Sequence, residues 1–177
     1  MRLRVGLEQG GCCPLSVISV RFEPVAPSAE PSGQGIIAPM PLTPDAFAPN
    51  QPCPCGRLNA RRQPLSYAQC CAACHAGVAA PDAESLMRSR YSAFVLGRVE
   101  HLRATWHPST CPAELTLEPG VKWLGLEVRD HLQVDEGHAE VEFVARSRVA
   151  GRGQRLHERS RFVRENGRWY YVDGDWL

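Results

Sequence analysis

Five of the chain's eight cysteines fall between Cys53 and Cys74, in the run C-P-C-G … Y-A-Q-C-C-A-A-C-H, and His75 follows the last of them. Thiolates at this density repel one another unless something binds them, and a soft divalent metal, zinc above all, is the commonest binder. A zinc site takes about four Cys or His ligands in a tetrahedron. Cys53 and Cys55 bracket Pro54 and precede Gly56, a short turn that can aim two thiolates at one point. Cys70 and Cys71 are adjacent, and Cys74 and His75 come one helical turn later. The expected ligand set is Cys53, Cys55, Cys70 and Cys71, with Cys74 and His75 in reserve for the fourth place. Disulfides or a metal-free redox pair are the competing readings. They are disfavoured because the N-terminus carries no recognisable export signal, and a chain kept in the reducing cytoplasm uses clustered cysteines for metal more often than for disulfides.

At 177 residues the chain is long enough for one ordinary domain with a small appendage. Its net charge of +1 gives no sign of the basic excess usual in a general nucleic-acid binder. No stretch approaches the roughly 20 apolar residues of a membrane span. Residues 1–50 are punctuated by Pro24, Pro27, Pro31, Pro39, Pro41, Pro44 and Pro49 in a Ser-, Ala- and Gly-rich setting. Such a segment buries too little apolar surface to offset its ordering entropy, so it is expected to be disordered. Met40 is read as an alternative translation start, which intact mass of the native protein would decide.

Residues 51–77 form the cysteine module, with too little apolar content to fold without metal. Residues 78–177 read as helices followed by strands. Asp82 after Pro81 is a good N-cap, Glu84 suits the first turn, and Leu86, Met87, Tyr91, Phe94 and Val95 give an apolar helical face that Gly97 ends. A short second helix through Val99, Leu102 and Trp106 stops at His107-Pro108. Strands are expected over 121–129, extending toward 134, then through Ala139, Val141, Phe143 and Ala145, over 156–165, and over 168–173. Gly151-Arg152-Gly153 and Asn166-Gly167 mark turns. Helices followed by an antiparallel meander make an α+β domain, with helices layered on a curved sheet.

The run CPCG…YAQCC resembles the SEC-C motif, the small zinc-binding element at the C-terminus of the translocation ATPase SecA. Further on, APDAESLMRSRYSAFVLG, ATWHPST, WLGLEV, VEFVARSR and HERSRFVRENGRWYYVDG together resemble the YchJ family of bacterial proteins over about residues 51–177. That resemblance implies a SEC-C module ahead of a nuclear transport factor 2-like (cystatin-like) cone, and zinc at Cys53, Cys55, Cys70 and Cys71. It implies no particular activity. Two departures stand out: Gly56 to Gln69 puts fourteen residues between the second and third cysteines, more than the motif usually has, and Ala72 stands where glycine often follows the pair. A loop extension of this kind costs little closure entropy, and Arg57, Arg61 and Arg62 keep positive charge in it.

Alternation along 156–164 turns Glu158 and Ser160 to the same face as Leu156 and Phe162, the inner face of such a cone. An inward Glu is costly unless paired, and Arg88 or Arg90 is within the helix that could supply the partner. Arg90, Tyr91, Trp106, His107, Glu158 and Ser160 are therefore the residues expected to line any pocket in the cone. No nucleophile–base–orienter set, phosphate loop or dinucleotide fingerprint is present. The leading functional expectation is a cytoplasmic, zinc-dependent adaptor that docks on a protein or ribosomal partner, as the similar element of SecA docks on SecB and on ribosomes. The alternative is a ligand-binding or enzymatic cone with its pocket near Glu158.

Overall fold

The computed structural model describes residues 47–177. The expectations of disorder up to residue 46 and of a start at Met40 lie outside the described residues. Residues 47–50, also expected to be loose, are packed onto the cysteine module. Phe47 meets Tyr67 edge-on at 5.3 Å between ring centroids, and Ala68 N–H donates to Pro49 O.

Among the described residues there are three helices, α1 (Ala72–His75), α2 (Ala83–Val95) and α3 (Val99–Ala104), then four strands, β1 (Lys122–Gln133), β2 (His138–Val149), β3 (Arg152–Glu165) and β4 (Arg168–Trp176). The strands form one antiparallel meander in the order β1-β2-β3-β4. Register shifts in β1, at Trp123/Gly125 and Val128/Asp130, and between β3 and β4 at Arg161/Phe162, are β-bulges. Each adds local twist, and together they curl the sheet around the helices. The expected α+β class, with helices packed on a curved antiparallel sheet, is observed.

The helix starts where the capping chemistry put it: Asp82 Oδ1 accepts from Ser85 N–H at 2.6 Å, and Glu84 pairs with Arg88 one turn on. α2 lies against β1, β2 and β4 and is flanked by α1 and α3. Its buried Leu86, Met87 and Tyr91 join Leu102, Trp106, Val141, Phe143, Phe162, Trp169 and Tyr171 in one core. Each such side chain is worth about 1.5–3 kcal/mol of burial, so this layer dominates the stability of the domain. The other face of the sheet is laced with ion pairs, Glu127–Arg146, Glu142 with His157 and Arg159, and Arg161 with Asp173 and Asp175.

Two strand boundaries differ from expectation. The turn into β3 is made by Ala150-Gly151, with Ala150 itself at a φ of 47°, so β3 begins at Arg152 instead of 156. β4 continues to Trp176, three residues past the expected end. Gly174 looks like a terminator but is a strand residue opposite Ser160. The reason is space: a Cβ at Gly174 would lie 2.7 Å from Cδ of Glu158 and 2.8 Å from its Cγ. The carboxyl of β3 occupies the volume that a side chain on β4 would need.

Candidate metal centre

The cysteine module is a pair of turns held by backbone hydrogen bonds. Cys53 N–H donates to Leu65 O and Gly56 N–H to Cys53 O, with Gly56 at a φ of 67° closing the first turn between the two thiols. The fourteen-residue stretch between Cys55 and Cys70 is ordered. Asn59 Oδ1 accepts from the amides of Arg61 and Gln63, and Leu58 bridges to Pro64, so the extension is a small hairpin. It returns the chain to Cys70 and Cys71, which begin the turn into α1.

These turns bring the sulfurs of Cys53, Cys55, Cys70 and Cys71 within 4.8 Å of one another. Cys55 Sγ lies 3.5 Å from Cys53 Sγ and 3.5 Å from Cys70 Sγ, and Cys70 Sγ lies 3.8 Å from Cys71 Sγ. Four thiolates about 2.3 Å from a central ion in a tetrahedron stand about 3.8 Å apart. The donor set and its spacing therefore fit a tetrahedral, thiophilic ion, and all four cysteines are free thiols.

The four thiols share protons. Cys53 is drawn below the ordinary thiol range by the hydrogen bonds it accepts from Cys55, Cys70 and Cys71. Cys55 donates to Cys53, which raises it, but Cys70 and Cys71 outweigh this and leave it at about 7. Cys70 and Cys71 are pushed up, first by donating to Cys53. A divalent ion replaces these protons, so loading releases them and affinity falls in acid.

The two reserve ligands stay outside the ring. Cys74 faces a different cavity, its thiol raised by burial and by Asp82. Both nitrogens of His75 are occupied. Nε2 meets the Ser89 carbonyl at 2.8 Å, and a carbonyl only accepts, so Nε2 carries the proton and Nδ1 accepts from Tyr67 Oη, also at 2.8 Å. His75 is a strut between module and cone.

Sequence reading missed how much of this site the cone supplies. Along α2, four polar residues face the module. Ser85 Oγ accepts from Arg57, Arg88 donates to the Cys55 carbonyl at 3.2 Å, Ser89 O receives His75, and Ser92 Oγ donates to Cys71 Sγ at 3.4 Å. Ser85, Ser89 and Ser92 are buried. The available signal was their helical spacing, a polar stripe on a helix otherwise made for a core. Arg57, expected to charge the loop, is turned inward by Ser85 and Glu84, which leaves Arg61 and Arg62 exposed.

The residues expected to line a cone pocket are brought together in part, but in packed interior. Glu158 and Ser160 face inward and are fully buried. Glu158 Oε1 accepts from Ser160 Oγ at 2.7 Å and from Tyr171 Oη at 3.2 Å, and burial pushes its carboxyl above the usual range. Arg90, on α2, acts on Glu158 through its charge, a smaller effect than burial and the two hydrogen bonds. It donates to Leu102 O and Thr105 Oγ1 and lies over the rings of Trp106 and Tyr171, 4.9 and 4.5 Å from their centroids. Phe143, Phe162 and Trp169 are buried around this cluster. Tyr91 is buried against Trp123, and His107 stands apart, bonded to Ser109 and Glu165.

A cavity of about 330 Å³ lies instead at the seam between module and cone, lined among others by His75, Val78, Leu86, His101, Arg168 and Trp169. His101 packs at a tilt against His75, 4.5 Å between ring centroids, and meets Ser89 Oγ at 3.0 Å. Burial, then the neighbouring His75, Arg90 and Arg98, hold its pKa down at about 3. The folded chain keeps this ring neutral while the unfolded chain protonates it below about 6.5. Its contribution is therefore complete above about pH 6.5 and is lost as pH falls toward 3. Thermal unfolding of the metal-loaded protein between about pH 7.5 and 5.5 should show a falling midpoint, and His101→Gln should flatten the fall. Equal slopes in both proteins would refute this.

Comparison with known proteins agrees with the geometry. Residues 82–174 match the family model described as the YchJ middle NTF2-like domain. A UPF0225 protein of Polaromonas sp. is 62% identical over 136 residues, covering 75% of this chain and 98% of that protein. A UPF0225 protein of Bordetella pertussis is 59% identical, covering 70% and 91%. Two solved structures of SEC-C motif containing proteins are similar. The one from Psychrobacter arcticus has a TM-score of 0.60 at 35% identity, covering 71% of this chain and 82% of its own. The one from Rhodopseudomonas palustris has a TM-score of 0.61 at 29% identity, covering 72% and 99%. With a SEC-C-like cysteine ring joined to an NTF2-like cone, and with relatives of this identity along most of their length, the chain belongs to the YchJ family, beside the UPF0225 proteins.

Proposed function

We propose that Cys53, Cys55, Cys70 and Cys71 hold one Zn²⁺ as a closed structural site, and that the rigid module so formed is a docking element of a cytoplasmic adaptor. The observation that carries the zinc reading is the set of four sulfurs within 4.8 Å of one another. A tetrahedral all-cysteine site leaves no open position for water, so the ion would supply shape and not catalysis. The docking reading is supported by the part of the module that faces away from the cone. There the ordered hairpin presents Leu58, half exposed, beside the exposed Arg61 and Arg62. An exposed leucine at the hairpin with two exposed cations on its turn suits an acidic protein or ribosomal surface, with charge steering the encounter. Among the described residues no helix is long and apolar enough to cross a membrane.

The test is co-sedimentation with ribosomes and capture of protein partners by the full chain, as purified, chelated, and with Arg61→Glu and Arg62→Glu together. Loss of association on chelation and on charge reversal is the expected result. Association unchanged by both would end the docking reading.

A further inference from the structure

A tetrathiolate site around a divalent ion carries a net negative charge, and burying charge is costly unless hydrogen-bond donors meet it. Here Cys53, Cys55 and Cys71 are buried while Cys70 remains partly exposed. Water can serve Cys70, but the other three depend on the protein. Ser92 sits in the middle of α2, fully buried, and both partners of its hydroxyl are sulfurs of the ring: Cys71 Sγ at 3.4 Å and Cys53 Sγ at 3.7 Å. A serine there has no propensity advantage, since alanine is the better helix former at an interior position. Nor does its hydroxyl serve the cone, because no hydrogen bond joins it to another cone residue.

We infer that Ser92 is a positioning residue of the metal centre: a donor held out by the cone's own helix to carry part of the thiolate charge of Cys71 and Cys53. This rests on the reading of the four cysteines as a metal site. When all four sulfurs are thiolates, the single Ser92 proton has only the buried sulfurs of Cys71 and Cys53 within reach. Arg88, one turn earlier, fixes the Cys55 carbonyl and so orients the first turn of the module from the same helix. The metal site therefore has two halves, ligands from the module and outer donors from the cone. Metal affinity becomes a property of the assembled domain and not of the cysteine loop alone. Hydrogen bonds of this outer kind are worth about 10- to 100-fold in metal affinity where they have been removed.

The test uses the full chain and its Ser92→Ala variant. Zn²⁺ affinity is measured by competition with a chromophoric chelator, and the thiolate-to-metal charge-transfer band is recorded with Co²⁺ in place of zinc. The expected result is zinc binding weakened about 10- to 100-fold and a cobalt band moved to lower energy, because a thiolate without its donor is easier to oxidise. The metal-free variant should unfold at the wild-type midpoint or above it, as alanine favours the helix. Unchanged affinity with an unchanged band would overturn the inference and leave the four-cysteine site standing. Weaker zinc with an unchanged band would assign the effect to packing and overturn the hydrogen-bonded role. A wild-type chain that binds neither metal would overturn the site and this inference together.

Discussion

Removing the metal, by a strong chelator or by Cys71→Ser, is expected to lower the melting temperature of the whole chain by roughly 10 °C or more, in a single transition. A separately folded finger would melt alone and leave the cone as it was. This module is not separate. Cys53, Cys55, Tyr67 and Cys71 belong to the same buried cluster as Leu86, Tyr91 and Trp106. Tyr67 holds His75, His75 holds the Ser89 carbonyl, and Ser92 holds Cys71, so each side of the seam is satisfied by the other. Loss of the ion replaces four strong bonds by protons shared among the sulfurs, beside α2, the helix that packs on β1, β2 and β4. Domains of this size have only about 5–15 kcal/mol of stability, and loss of a structural metal is among the few single changes that consume several of them. Differential scanning calorimetry with and without chelator decides the point. Two transitions, the later one unmoved by chelation, would show that the cone folds independently.

The second large effect is expected at Arg90. Replacing it with methionine keeps much of the volume but removes the cation that lies over Trp106 and Tyr171 and acts electrostatically on Glu158. It also strips the donors from Leu102 O and Thr105 Oγ1. Leaving two buried acceptors without their donor, and a buried carboxyl without a cation that favours its charged form, typically costs about 3–5 kcal/mol together. Arg90→Met should fall in that range in urea unfolding, and adding Glu158→Gln should recover a good part of it. A single variant within about 1 kcal/mol of wild type, or a double variant as unstable as the single, would mean that Arg90 and Glu158 are not energetically coupled.

That cluster also marks how far the sequence could be read. Alternation along β3 was enough to place Glu158 and Ser160 inside, and the cysteine spacing put Cys53, Cys55, Cys70 and Cys71 first but left the fourth place open among Cys71, Cys74 and His75 until the fold brought the four sulfurs together. Both are local signals with a fixed period or a fixed chemistry. What fills a volume is not local. Arg90, Trp106 and Tyr171 come from α2, the loop after α3 and β4, and only their packing shows that the space around Glu158 is occupied. The same holds for β4: Gly174 looks like a strand end until the Glu158 carboxyl is seen lying over it. The union of module and cone was hidden for a related reason. Ser85, Ser89 and Ser92 dilute the apolar face of α2, and nothing in their spacing says that the hydroxyls of Ser85 and Ser92 meet an arginine and a thiol from earlier in the chain, or that the Ser89 hydroxyl meets His101.

The claim on which the rest stands is that one divalent ion sits in the four-cysteine ring and ties it to the cone. Native mass spectrometry of the full chain, purified without added metal, tests it most directly. The account predicts one zinc per folded chain, retained in the wild type and absent from Cys71→Ser. A wild-type chain that is folded, metal-free and indifferent to added zinc would contradict it.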